Sequence, residues 1–201
     1  GTGKTTLCRA LLQQTDKKTC TALVLNPFLS EEDLLRTILQ DMGVAYDPRR
    51  FASRPPSKQD LISALSDFLL SLIPLGARAV LIIDEAQNLP LPILEQIRIL
   101  SNLETDKEKL LQIVLVGQLN LVPLLRSPEL RQLDQRVSIR YQLKPLVEDE
   151  VTAYISHRLS IASGARRVTF TPKALELVHQ YSGGIPRLVN LLCDRSLLGG
   201  F

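Results

Sequence analysis

Gly1-Thr2-Gly3-Lys4-Thr5-Thr6 opens the chain, and the reading of this stretch decides how the rest is assembled. A phosphate-binding loop has the form G-x-x-x-x-G-K-[ST], follows a strand and runs straight into a helix. The opening residues match the last part of that pattern. Gly3 lets the backbone approach phosphate, and the successive N–H groups form an anion nest at a helix N-terminus. Lys4 would reach the β- and γ-phosphates, and the Thr5 hydroxyl suits Mg²⁺. Taken alone, a Gly before a Lys is equally a solvated turn, so the decision falls to the residues downstream.

Those residues alternate between short apolar runs and amphipathic stretches. Lys4–Gln14 continues as a helix with Leu7, Leu11 and Leu12 at helical spacing. Thr21–Leu25 reads as a strand, followed by a helix capped at Ser30, faced by Leu34, Leu35, Ile38, Leu39 and Met42 and stopped at Gly43. Asp47–Ser57, rich in Pro, Arg and Ser, reads as a surface loop. Ser57 caps a second helix to about Leu72. Ala79–Ile83 is fully apolar, as expected of a parallel strand buried on both faces. A helix over Pro90–Ser101, a charged turn over Glu104–Lys109 and a strand over Gln112–Val116 follow. Short helical turns run to Leu133, and Val137–Gln142 alternates like a last, partly exposed strand. This order predicts an α/β fold, with a parallel sheet flanked by helices.

After about Leu143 the pattern becomes wholly helical, over Glu148–Ala162, Pro172–Tyr181 and Pro186–Leu198. The expected organisation is therefore a nucleotide-binding core over residues 1–143 and a small helical lid over 144–201. Because the sequence starts inside the loop, the strand expected before Gly1 is missing, and a longer parent protein is expected.

The chemistry gathers at strand ends. Asp84 and Glu85 follow directly on the apolar run Ala79–Ile83, and such ends face the ligand crevice of an open α/β sheet. Asp84 suits Mg²⁺, and Glu85 suits a base that polarises the attacking water. Gln118 ends the next apolar run, where an amide can orient that water. Asn26 ends an earlier run and is a candidate to hold Glu85 in an idle rotamer. Arg131 and Arg136 precede the expected last strand, and the planar guanidinium suits charge on a γ-phosphate, here of a neighbouring subunit. Arg187, opening the last helix in Gly183-Gly184-Ile185-Pro186-Arg187, is placed to couple a lid to the nucleotide. His157 and His179 stand alone on helices and read as structural or solvated.

The totals limit the alternatives. With 201 residues and 45% apolar content, the chain can bury a real core. A net charge of +3, aromatics at 4% and no Trp give no nucleic-acid surface or stacking platform. Cys8, Cys20 and Cys193 form no C-x-x-C pair and read as buried thiols of a reducing compartment. Arg78 interrupts the longest apolar stretch, so no membrane-spanning segment is expected.

In this order, the pieces resemble the AAA+ ATPases: Gly3-Lys4-Thr5-Thr6, a hydrophobic strand with Asp84-Glu85, a polar residue at Gln118, an arginine before the last strand, and Gly-x-Pro-Arg in a helical lid. Gly1–Leu12, Leu23–Pro27, Ile83–Leu89, Leu115–Gln118 and Leu130–Arg136 look like the ATPase of type II secretion A-components and related pilus-biogenesis ATPases, which are ORC1-like AAA+ ATPases. The resemblance implies ATP with Mg²⁺, bound through Gly1, Thr2, Gly3, Lys4, Thr5, Thr6 and Asp84. It further implies Gln118 as sensor 1, Arg136 (with Arg131 the alternative) as an arginine finger acting in trans within a homo-oligomer, and Arg187 as sensor 2. The implied setting is a cytoplasmic domain of a protein anchored in the bacterial inner membrane, with a secretion or pilus-assembly partner. A DNA-linked helper ATPase of the transposition kind and a slow nucleotide-dependent scaffold are the other readings, and the mild charge does not favour DNA.

Overall fold

In the computed structural model, residues 3–16, 18–25, 30–44, 55–162 and 168–199 are described. The sheet is built around β2, Arg78–Ile83. Ala79, Leu81, Ile82 and Ile83 are all at most 1% exposed, so successive side chains are covered on both faces. That is the environment a continuous apolar run requires of a parallel strand. β2 pairs in parallel with β1, Thr19–Val24, on one side and with β3, Leu111–Leu115, on the other. The order is β1-β2-β3. Val24, Ile83 and Leu115 are register partners, so the three strands end level and release their next residues at one edge of the sheet.

α1, Lys4–Gln14, precedes β1. Helices α2, Glu31–Asp41, and α3, Lys58–Leu72, supply much of the core against these strands. α2 begins at Ser30, whose hydroxyl accepts from the Asp33 amide at 3.1 Å. α3 begins at a reciprocal capping box between Ser57 and Asp60. Caps of this kind are worth about 1 kcal/mol each, which fixes where the helices start. Leu61, Leu65, Leu69 and Leu72 of α3 recur every three or four residues and are buried with Leu34, Leu35, Ile38 and Leu39 of α2. Each fully buried Leu contributes about 1.5–3 kcal/mol of transfer free energy. α4, Leu91–Leu100, adds Ile93, Leu94, Ile97 and Leu100 to the same core. Its Gln96 is also fully buried, with no hydrogen-bond partner for either amide atom. Beyond β3, α5 (Leu121–Leu125) and α6 (Arg131–Asp134) bring in Leu121, Leu125 and Leu133.

The chain divides into two compact units, Cys8–Arg140 and Tyr141–Phe201 with Gly1–Leu7. The second contains α7 (Glu148–Ala162), α8 (Pro172–Ser182) and α9 (Pro186–Gly199). Its small core is Val151, Ile155, Val178 and Val189. Gly184 admits no side chain, because a Cβ there would lie 1.9 Å from the Leu146 carbonyl oxygen. The close approach lets the Leu146 amide donate to the Gly184 carbonyl at 2.8 Å.

Several expectations are corrected. Val137–Gln142 forms no strand. Alternation records side-chain chemistry, but a strand also needs a ladder partner, and none flanks these residues among those described; Ile139 and Tyr141 are 85% exposed. In α1 the buried position is Cys8, while Leu7 and Leu11 are exposed, because helical spacing does not say which stripe meets the core. Cys8 alone of the three cysteines is buried; Cys20 and Cys193 are half-buried. Gly1, Thr2, Asn26 and most of the Asp47–Ser57 loop lie outside the described residues.

Candidate functional site

The start of α1 is the local structure that the opening motif needs. Gly3 has a φ of +87°, a left-handed conformation that a side chain disfavours. The Leu7 amide donates to the Gly3 carbonyl at 2.9 Å. The amides of Lys4, Thr5 and Thr6 therefore precede the helical ladder, at the point where a helix presents N–H groups to an anion.

The carboxyl edge of the sheet carries the acidic pair. The Asp84 amide still donates to Val24 at 2.9 Å, which extends the ladder one residue past β2. Asp84 is 3% exposed, and its Oδ1 accepts from the Glu85 amide at 2.8 Å. Its charge also acts on α1. Burial first, and then the Asp84 carboxylate, raise the pKa of the Cys8 thiol. Cys8 is buried at 6% exposure, as a small packing residue is.

Glu85 then turns the chain sharply. At φ +53° and ψ +34° it is the one non-glycine residue with positive φ among those described. A backbone of this kind costs about 1–3 kcal/mol and persists only where its surroundings enforce it. The enforcement is visible on both sides. The Ala86 amide donates to Val116 at 2.9 Å, and Ala86–Asn88 closes a short 3₁₀ turn.

Three side chains meet over that turn. Gln87 Nε2 donates to Glu85 Oε2 at 2.6 Å. Gln118 Nε2 donates to the same oxygen at 3.3 Å. The Gln118 backbone N–H donates to Gln87 Oε1 at 2.9 Å, closing a triangle between two strand ends. Glu85 and Gln118, expected to work together, are brought together. Gln87 was missed, because its reach back to Glu85 depends on the left-handed turn at Glu85.

The arginines are arranged differently. Arg131 opens α6 and is exposed; Arg136 follows that helix and is also exposed. No hydrogen bond or ion pair joins either to Glu85 or Gln118. Arg136 instead acts on Glu104, whose pKa is lowered first by the Lys109 hydrogen bond and charge and further by Arg136. Arg187, within the helical unit, is the second residue of α9 and exposed.

The donor chemistry fits a nucleotide with a divalent cation. A left-handed glycine at a helix N-terminus suits phosphate, and a buried strand-end carboxylate is a hard oxygen donor for Mg²⁺. Among the described residues no group of three or more His, Cys, Asp or Glu could hold a metal by protein ligands alone. Mg²⁺ needs no such cage when phosphate oxygens complete its shell.

Comparison with known proteins identifies the family. The AAA domain family matches residues 1–125, well over half of the chain. The chain belongs to the AAA domain family. Membership in a family of ATPases implies nucleotide binding and hydrolysis. This AAA domain is 48% identical over all 201 residues to the general secretion pathway protein A of Aeromonas hydrophila, and spans 36% of that protein's length. Among solved structures, its fold is similar to that of the ORC2 protein of Aeropyrum pernix in its ADP form. That match has a TM-score of 0.65 at 17% identity and covers 100% of this chain and 55% of the other. It is also similar to Cdc6p of Pyrobaculum aerophilum, with a TM-score of 0.63 at 19% identity over 89% of this chain and 45% of the other. At such low identity the two structures establish a shared fold. No described helix is long and apolar enough to cross a membrane.

Proposed function

We propose that this AAA domain hydrolyses ATP to ADP and phosphate, with Glu85 as the base that polarises the attacking water. The carrying observation is the triangle of Glu85, Gln87 and Gln118, which holds a carboxylate at the end of β2 in a left-handed turn. In this reading Gly1–Thr6 cradle the phosphates, and Thr5 and Asp84 hold Mg²⁺. The cation would neutralise phosphate charge when bound. Gln118 orients the water, and Arg187 couples the phosphate state to a helical lid of residues 144–201, residues 1–143 being the nucleotide-binding core.

The exposed positions of Arg136 and Arg131 support a finger that serves a neighbouring subunit, so the working form is a homo-oligomer. The likeness to general secretion pathway protein A supports a place in type II secretion or pilus assembly. There the domain would work on the cytoplasmic side, where ATP is supplied, within a protein anchored in the inner membrane. The test is Mg-ATP turnover by the full-length protein and by its Glu85→Gln variant; equal, substantial rates contradict the assignment.

A further inference from the structure

We infer that Gln87 is a positioning residue for Glu85, an inference that rests on the ATPase reading above. Among the described residues both amide donors to this carboxylate meet Oε2, and Oε1 accepts none. One oxygen is thus pinned to the protein by two amides, which fixes the direction in which the other presents its lone pairs. Of the two donors, Gln87 has the shorter bond, 2.6 Å against 3.3 Å. It is also half-buried where Gln118 is exposed.

The side chain of Gln87 is itself fixed at its far end. Its Oε1 accepts from the Gln118 backbone at 2.9 Å. Gly117 makes room for it, since a Cβ there would lie 2.8 Å from that oxygen. Gln87 therefore links the exit of β3 to the carboxylate at the exit of β2, and only an amide of this length does both jobs. Glutamate would supply no donor and would place a second negative charge against Glu85. Asparagine falls a methylene short. Methionine fills the same volume and makes neither bond.

The experiment compares full-length wild type with Gln87→Met, Glu85→Gln and the double variant, using Mg-ATP and checking each fold by thermal melting. Misaiming a reacting group by about 1 Å costs about 100-fold in rate. Gln87→Met is expected to lower kcat by about 10–100-fold, with KM for ATP and nucleotide Kd nearly unchanged. In the Glu85→Gln background it is expected to add nothing, because the group it aims is already gone. A Gln87→Met protein at the wild-type rate beside a slow Glu85→Gln overturns the role of Gln87 and leaves Glu85 as base. Loss of ATP affinity in step with kcat, or a further fall in the double variant, also overturns it. A Glu85→Gln protein as fast as wild type overturns both readings.

Discussion

Where β2 ends, Asp84 is 3% exposed and the next polar side chains, Glu85, Gln87 and Gln118, are hydrogen-bonded to one another across two strands. Where β2 begins, Arg78 is exposed and the neighbouring polar groups face solvent. There a groove of about 250 Å³ has Leu69, Leu72, Ile73, Ala77 and Leu110 in its wall, with Glu108 and Lys109 beside them. The charges nearby are settled locally, Lys109 against Glu104 in a short turn. The same strands thus carry two kinds of ending. Burying polar groups is costly and is tolerated where hydrogen bonds satisfy them. The carboxyl end accepts that cost and a left-handed Glu85 as well. The amino end accepts neither.

If the division holds, substitutions at the two ends should separate stability from turnover. The largest effect on stability is expected from Leu69→Ala, at 1% exposure in the groove wall. Truncating a buried Leu costs about 2–5 kcal/mol. Urea unfolding should show that loss while kcat per folded molecule stays at the wild-type value; a matching fall in kcat would erase the distinction between the ends.

Gly117→Ala should act on both quantities. Its Cβ would meet Leu121 Cδ2 at 2.7 Å and Gln87 Oε1 at 2.8 Å. Overpacking of this kind costs about 1–3 kcal/mol, and displacing Gln87 should slow hydrolysis as well. A destabilised protein with full turnover would show that this crowding does not reach Glu85.

The smallest effect belongs to the Glu104–Lys109 pair. Glu104 has a lowered pKa, first through its hydrogen bond and charge contact with Lys109. A depressed carboxylate pKa stabilises the fold above the unfolded value and loses that contribution as pH falls through the folded one. The pair is exposed, so salt should screen what it adds. Lys109→Ala should therefore melt slightly below wild type at neutral pH and low salt, and alongside it in acid below the usual carboxylate range. A gap that widened in acid would reverse the sign.

How much of this was legible depends on what each signal encodes. The five apolar residues Ala79–Ile83 specify a strand buried on both faces because no solvated surface tolerates them. The Ser-x-x-Asp spacings at Ser30 and Ser57 specify helix starts because the cap is local. Val137–Gln142 misled for the opposite reason: its alternation is real, but pairing is decided by distant backbone. The helical spacing of Leu7 and Leu11 defined the helix α1 but not which of its stripes is buried. Asp84 and Glu85 were readable from their place after the strand. Gln87 was not, since its reach back to Glu85 depends on a left-handed turn that no residue type there announces.

Hydrolysis through Glu85 at the carboxyl end of the sheet is checked by phosphate release from Mg-ATP, with bound nucleotide quantified in the same samples, for full-length wild type and Glu85→Gln. Removing a general base costs about 100- to 10,000-fold. Equal nucleotide occupancy is expected, with a fall in rate of that order. Equal occupancy with equal, substantial rates would contradict that role of Glu85.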